Sequence, residues 1–277
     1  MVGMTQFKGK TAVVTGGASG IGRGLAERFV AEGMNVVIAD VENDALQRTA
    51  EEIGAVGIRT DVSDYESVCA MRDAVVKQFG TAHIVCNNAG IGAFSKVAEL
   101  TIDDWKWIIG VNLWGVIHGV QAFLPLLTAN EDGGWIVNTA SMGGVSTFPT
   151  LGAYATTKFG VTALTETLAA ELALDGGRVG ATVLLPGPVR SNLGKSSRNR
   201  PADIQPGGLA DNDLAALPQY RDTLPWKNPS DAAEITVDAI RNGKLYAVTH
   251  PEQSERVEKR SAILLEAFGK RIQVSDA

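Results

Sequence analysis

Two rhythms of apolar residues alternate along this chain. Short stretches carry apolar residues on consecutive positions, as a parallel strand buried on both faces requires. Longer stretches space them three and four residues apart, the period of a helix with one buried face. "TAVVTGG" and "NVVIAD" are of the first kind, and "IGRGLAERFVAEGM" between them is of the second, ending at Gly33. The alternation continues through a strand near Ala55 to Arg59, a helix over "YESVCAMRDAVVKQFG", a strand at "HIVCNNAG" and a long helical stretch from Ile102 to about Thr128. "GWIVNTAS", a helix containing Tyr154 and Lys158, and "GATVLLPG" follow. Strands and helices in such alternation predict an α/β fold built on a doubly wound parallel sheet.

After Pro186 the rhythm breaks. Seven of the ten prolines lie between Pro186 and Pro229, so no long regular element is expected there. The segment 187–228 is too long for a simple connector and reads as a lid, the alternative being a disordered or oligomer-contacting segment. Pro206-Gly207-Gly208 predicts a bend, and Leu209, Leu214, Leu217, Tyr220, Leu224 and Trp226 are available to cover an apolar ligand. A helix from Ser230, a short strand at "LYAVT" and a helix opened by Pro251 close the chain, the last with apolar residues at Val257, Leu264, Leu265, Phe268 and Ile272. No internal repeat or linker divides residues 1–277, which predicts one domain.

Composition narrows the function classes. With 277 residues, 45% of them hydrophobic and 20% charged, the chain can bury a sizeable core. A net charge of −6 without a Lys/Arg run argues against nucleic acid as a partner. Cys69 and Cys86 do not make a disulfide framework, nor a metal spacing with His83, His118 or His250, so no metal is expected. The N-terminal "MVGMTQFKGK" lacks a signal-peptide core and no run of 18 apolar residues occurs, so a cytoplasmic protein with no membrane partner is expected.

The first strand runs directly into "TGGASGIG", in which Gly16, Gly20 and Gly22 are spaced G-x-x-x-G-x-G. Glycines there allow a tight turn and close backbone approach, and the following helix presents free N–H groups and the positive end of its dipole to a pyrophosphate. Asp40 ends the second strand about 20 residues further on, where a carboxylate accepts hydrogen bonds from an adenosine ribose. Asp40 also precedes the next helix and suits an N-terminal acid; the two roles are compatible. No Arg or Lys stands at Ser19, Val41 or Glu42 to receive a 2′-phosphate, so the local charge points to NAD over NADP.

A second constellation lies in "SMGGVSTFPTLGAYATTK", which places Ser141 at the end of one apolar run and Tyr154 and Lys158 at the start of the next helix. A spacing of four puts phenol and ammonium on one helix face, and an ammonium beside a phenol favours the phenolate. By itself the pair is either a tuned proton donor and acceptor or a surface pair without chemistry. Asn112, in the otherwise apolar "WIIGVNLWGVIHGV", is an amide that must be satisfied internally, for instance by neighbouring backbone.

Together these motifs resemble the classical short-chain dehydrogenases/reductases, from Lys10 to about Ser191. Thr15-Gly16-Gly17-Ala18-Ser19-Gly20-Ile21-Gly22 is similar to that family's cofactor turn, Asp61-Val62 to its adenine-side contact, and Asn87-Asn88-Ala89-Gly90 to its strand-end motif. Asn112, Ser141, Tyr154 and Lys158 resemble its catalytic tetrad. Pro186-Gly187 resembles the turn beside the nicotinamide, with the backbone at Val189 on the carboxamide; Ser191 stands where the family usually has threonine, retaining the hydroxyl. The resemblance implies a Rossmann-type single domain, NAD as cofactor, a small-molecule alcohol or ketone substrate, and a homo-oligomer, dimer or tetramer. It implies Tyr154 as general acid/base, Lys158 stabilising the phenolate and binding the nicotinamide ribose, Ser141 holding the substrate oxygen, and Asn112 helping to hold a water that links Lys158 to solvent.

Two other functions suit such a scaffold. An NADPH-dependent carbonyl reductase is opposed by Asp40, and a non-catalytic nucleotide sensor by the complete Ser141, Tyr154 and Lys158 set. "WIIGVNLWGVIHG" with the tail "LYAVTHPEQSERVE" further resembles the Cα-dehydrogenases of lignin-derived aryl ethers, which implies a bulky, apolar or aromatic secondary alcohol. Phe94, Trp114, Met142, Phe148 and Trp226 are candidate walls for it, or ordinary core.

Overall fold

The structure is a computed structural model describing residues 3–92, 94–202, 204–205 and 207–269. Pro206 of the expected bend and Ile272 of the last helix lie outside the described residues. The elements are β1 (Thr11–Thr15), α1 (Gly20–Ala31), β2 (Asn35–Asp40), α2 (Asn43–Ile53), β3 (Val56–Arg59), α3 (Tyr65–Phe79), β4 (Ile84–Asn87), α4 (Ile102–Ile109), α5 (Gly115–Ala129), β5 (Gly134–Thr139), α6 (Gly152–Leu174), β6 (Val179–Leu185), α7 (Pro218–Arg221), α8 (Pro229–Arg241), β7 (Tyr246–Val248) and α9 (Ser254–Ala267). The strands form one parallel sheet in the order β3-β2-β1-β4-β5-β6-β7. The winding reverses between β1 and β4, and the crevice that opens at the carboxyl ends of strands at such a point is where α/β sheets bind ligands.

The consecutive apolar runs have the predicted cause. Every residue of β1, β5 and β6 is buried, because helices cover both faces of the sheet. On one face Leu25 and Phe29 of α1 and Val237 and Ile240 of α8 pack on Ile38, Trp135 and Leu184. On the other, Val68 and Val75 of α3, Phe123 of α5 and Leu168 and Leu172 of α6 pack on Val37, Val85 and Ile136. Each such side chain contributes roughly 1.5–3 kcal/mol of burial, so the two layers hold the strand ends in fixed register.

The stretch from Ile102 to Ala129 is one helical rod with an interruption. Thr101 and Asp104 form a capping box at its start. At Gly110–Trp114 the hydrogen bonding widens to a π-helix, a one-turn bulge of the kind found at functional sites. The rod is long and apolar enough to cross a bilayer, yet half of its most apolar window is buried inside the fold, where it packs on α3, α6, β4 and β5 as a core helix.

In keeping with the break in rhythm, the described residues of 187–228 carry only short elements: 3-10 turns at Leu193–Asn199 and Leu214–Ala216, the short α7, and single bridges joining Phe94 to Ala210 and Val189 to Lys227. The last helix starts at Ser254 after a 3-10 turn at Pro251–Gln253 and has no buried residue. Its expected apolar face reaches the core only in part: Val257 packs against the cluster of Val116, Met142 and Val161, whereas Leu264 and Phe268 are exposed, and Arg256 and Arg260 lie over the Phe148 and Phe159 rings at 4.4 and 4.9 Å.

Candidate active site

The turn after β1 forms because glycine alone suits it. Gly16 has φ +64° and Gly20 φ +53°, and a Cβ on Gly16 would lie 2.8 Å from the Ala89 Cα. A Cβ on Gly22 would lie 2.1 Å from the Gly16 carbonyl oxygen, so α1 can leave the turn this closely only with glycine there. Thr15 locks the turn to the next strand: its Oγ1 accepts from the Asn88 and Ala89 N–H groups at 2.9 and 3.1 Å, and Asn88 Nδ2 donates to the Thr15 carbonyl at 3.0 Å. Thr139 of β5 donates to Asn88 Oδ1 at 3.2 Å, so three strand ends are tied together.

These ends border an open cleft. Gly16, Ser19, Gly20, Ile21, Asp40, Asp61, Val62, Asn88, Ala89, Gly90, Tyr154, Lys158, Pro186 and Ser191 all line it. Gly22, Asn112, Ser141, Gly187 and Val189 do not line it. Gly22 and Asn112 stand behind the wall, Ser141 abuts Tyr154, the Gly187 N–H donates to Thr249 Oγ1 at 3.0 Å, and Val189 bridges to Lys227. At one end Asp40 accepts from the Ala18 and Glu42 N–H groups at 3.2 and 3.1 Å. Burial raises its carboxyl above the ordinary range, and those N–H groups oppose the rise. Asp61 accepts from both the N–H and the hydroxyl of Ser63 at 2.9 and 2.7 Å, which orients the adjoining Val62. An open glycine cradle at a helix N-terminus with a carboxylate bonded to the same turn fits a dinucleotide.

At the other end, α6 brings Tyr154 and Lys158 to the cleft. Lys158, 3% exposed, donates from Nζ to the Thr139 carbonyl at 2.8 Å and lies 5.6 Å from the Tyr154 ring centroid. Burial pushes its ammonium down to about 8. Burial likewise pushes the Tyr154 phenol up, and the Ser141 hydroxyl draws it partly back. The expected lowering of the phenol by the ammonium does not appear: Nζ points to the carbonyl, and desolvation dominates both groups. Ser141 Oγ accepts from the Gly143 N–H at 3.0 Å, which holds the hydroxyl near the phenol.

Asn112 sits in the π-helical turn, fully buried. Its Oδ1 accepts from the Ile91 N–H at 2.8 Å and its Nδ2 donates to the Ile91 carbonyl at 2.9 Å. This is the satisfied core amide that burial demands. It also fixes the Gly90–Ile91 backbone beside Lys158: a Cβ on Gly90 would lie 3.3 Å from Asn112 Oδ1 and 3.7 Å from Lys158 Nζ.

The candidate walls are elsewhere. Trp114 is half exposed and packs on His118, Phe148 lies under Arg256, and Trp226 lies beside Arg190 with its indole N–H on the Tyr220 carbonyl. Phe94 bridges Ala210, and Met142 lines a separate hollow against α6, β7 and α9. The apolar wall of the cleft is Ile91, Trp107, Val111 and Leu193 instead. Sequence reasoning also missed two arginines. Arg200, with Asp104, forms an ion pair with side chains 9% and 0% exposed; the guanidinium donates twice to Oδ1 at 3.0 Å and lies 4.5 Å from the Trp107 ring centroid. Arg198 reaches Glu42. The available signal was local: Lys195, Arg198 and Arg200 put three cations into six residues of an acidic chain.

The sequence pattern of the family described as short chain dehydrogenase matches residues 10–202. The chain belongs to that family. Its members are oxidoreductases, and this chain is 32% identical over 270 residues to a C alpha-dehydrogenase of Sphingobium sp. (strain NBRC 103272 / SYK-6), covering 95% of this chain and 88% of the relative. A short chain dehydrogenase/reductase from Burkholderia phymatum, solved in complex with NAD, superposes with a TM-score of 0.87 at 38% identity over 99% of both chains. The apo form of LigO from Sphingobium sp. strain SYK-6 superposes with a TM-score of 0.78 at 30% identity, over 96% of this chain and 91% of that one. The seven-stranded sheet thus has the Rossmann-type winding of a short-chain dehydrogenase/reductase.

Proposed function

We propose that this oxidoreductase moves a hydride between a bulky, apolar or aromatic secondary alcohol and NAD, with Tyr154 as general acid/base. The observation that carries the reading is the placement of Tyr154, Lys158 and the glycine turn on one continuous cleft, with Ser141 abutting the phenol. When bound, the dinucleotide supplies the hydride acceptor or donor at its nicotinamide ring. The chain's own work is to orient the substrate and carry the proton. Ser141 holds the substrate oxygen against the Tyr154 hydroxyl, which takes the alcohol proton as the carbon loses hydride and returns it in the reverse direction. Lys158, fixed on the Thr139 carbonyl, places a cation within reach of the phenolate as it forms, where low local dielectric strengthens the attraction. Asn112 acts as a positioning residue for the Gly90–Ile91 backbone next to Lys158.

The NAD preference rests on Asp40. A carboxylate about 4 Å from a 2′-phosphate is repelled by about 4 kcal/mol per unit charge at an effective dielectric of about 20, and about 1.4 kcal/mol already gives tenfold discrimination. The segment 187–228 serves as the lid, through Ser191 to Leu193, Ser196, Arg198, Asn199 and Pro201, which line the cleft, and through Leu209, which packs beside Trp107. The substrate class is supported by the likeness to a C alpha-dehydrogenase and by the Ile91, Trp107, Val111 and Leu193 wall.

The test is Tyr154→Phe. Turnover is expected to fall by roughly 10² to 10⁴, the usual worth of a positioned acid/base, with the NAD dissociation constant little changed. A variant keeping more than about a tenth of the wild-type kcat excludes the phenol as the base, since that loss is well below this range. In the same assay, 1-arylpropanols are expected to exceed 2-propanol in kcat/KM by about a hundredfold, the worth of burying one ring at roughly 2–3 kcal/mol. Equal efficiency on both refutes the bulky-substrate reading.

A further inference from the structure

We propose that Glu42 and Arg198 are a charge-balancing pair that sets how strongly the cleft discriminates between NAD and NADP. The inference rests on the reading that a dinucleotide places its adenosine ribose at Asp40. Glu42 stands two residues beyond Asp40 and donates its backbone N–H to Asp40 Oδ1 at 3.1 Å, so both carboxylates belong to one turn at the end of β2. Arg198 arrives from the 3-10 turn Leu193–Asn199, 156 residues later. Its Nη2 donates to Glu42 Oε1 at 2.6 Å and its Nε lies 3.1 and 3.2 Å from the two oxygens, while Asn199 Nδ2 donates to Oε1 at 3.0 Å. The contact with Arg198 holds the Glu42 carboxyl below the ordinary range, so the pair is ionised. The Asn192 and Lys195 carbonyls accept from Nη1, which aims the guanidinium at this turn.

Asp40, Glu42, Arg198 and Asn199 all line the cleft, whose described lining contains only two cations, Arg198 and Lys158. Lys158 is committed at the opposite end, on the Thr139 carbonyl. Positive charge that meets a 2′-phosphate here must therefore come from Arg198. Paired with Glu42 it is neutralised, and Asp40 is left as the net charge of the turn. Removing the Glu42 charge frees the guanidinium to answer Asp40 or a phosphate, whereas removing Arg198 adds a second uncompensated carboxylate beside Asp40. The two changes must move dinucleotide choice in opposite directions. A strap that merely holds the lid shut would weaken both dinucleotides alike.

The experiment measures dissociation constants of NAD and NADP by titration calorimetry at low ionic strength, with wild type, Glu42→Gln, Arg198→Gln, Arg198→Lys and the Glu42→Gln/Arg198→Gln double variant. The ratio of the NADP to the NAD constant is expected to fall about fivefold in Glu42→Gln, a difference of about 1 kcal/mol, and to rise about threefold or more in Arg198→Gln, again a sub-kcal to about 1 kcal/mol effect. It should stay near wild type in Arg198→Lys and in the double variant. Both shifts should shrink at high salt, because the side chains are 37% and 32% exposed and screened. A ratio unmoved by Glu42→Gln, or moved in the same direction by Glu42→Gln and Arg198→Gln, overturns the pair as a determinant while leaving the NAD reading intact. Failure of wild type to bind either dinucleotide overturns both.

Discussion

Replacing Lys158 by methionine should make the fold more stable near neutral pH, and the gain should disappear in base. The side chain is 3% exposed, and burial takes its ammonium from an ordinary 10.5 down to about 8. Below about 8 both folded and unfolded chains carry the proton, and the folded chain bears the full desolvation cost. Between about 8 and 10.5 the unfolded chain holds more protons than the folded one, so rising pH stabilises the fold. A shift of this size, at about 1.4 kcal/mol per unit, amounts to about 3 kcal/mol near pH 7. Methionine keeps the length of the side chain without the charge, but leaves the Thr139 carbonyl without its 2.8 Å partner, at about 1–3 kcal/mol. The net gain near pH 7 is about 1–2 kcal/mol, and the variant's advantage should shrink by about 2–3 kcal/mol by roughly pH 10 and reverse. Urea unfolding of both proteins at equal concentration reads this directly. Tyr246, whose phenol burial raises to about 12, titrates in both proteins and drops out of the difference. A gap between variant and wild type that does not change with pH refutes the reasoning.

Other outcomes follow from the same geometry. Arg200→Ala strands Asp104 in the interior and should cost about 3–5 kcal/mol of stability by urea unfolding, with faster proteolysis within 191–209; unchanged stability and cleavage would show that the Asp104 pair does not root the lid. Gly22→Ala places a Cβ 2.1 Å from the Gly16 carbonyl oxygen, so dinucleotide affinity measured by calorimetry should fall more than about a hundredfold, a loss of about 3 kcal/mol, while the circular dichroism spectrum is retained. Wild-type affinity would mean that the turn tolerates a side chain at that point.

What the sequence discloses and what it hides divides by range. Asp40, the glycine turn, Asn88 to Gly90, and Ser141 were legible because each sits at the end of a strand whose burial on both faces writes itself as a consecutive apolar run. Tyr154 and Lys158 share a helix face by their spacing, but it was the resemblance to the short-chain dehydrogenases/reductases that singled them out from an ordinary surface pair. The π-helical turn at Gly110–Trp114 was not, since an apolar stretch with one extra residue per turn reads like any other apolar helix, and its effect shows only where Asn112 meets Ile91. The aromatic walls were misplaced for a related reason: Trp114 and Phe148 are apolar enough for a pocket, but the turns that carry them face His118 and Arg256.

The segment 187–228 shows the limit most clearly. Its length and prolines marked it out, but the part that lines the cleft is tied down by Arg198 on Glu42 and Arg200 on Asp104, partners 156 and 96 residues away. Two arginines separated by one residue thus perform different work. Arg200 is buried with a fully buried partner and stacked on Trp107, so its loss leaves an uncompensated charge and acts on stability. Arg198 and Glu42 are each about a third exposed, where an ion pair contributes roughly 0–1 kcal/mol to folding, which leaves its effect to fall on whatever charge enters the cleft. The same strap is therefore anchored at one arginine and electrostatically selective at the other, and substitutions two residues apart should separate into a stability phenotype and a cofactor-choice phenotype.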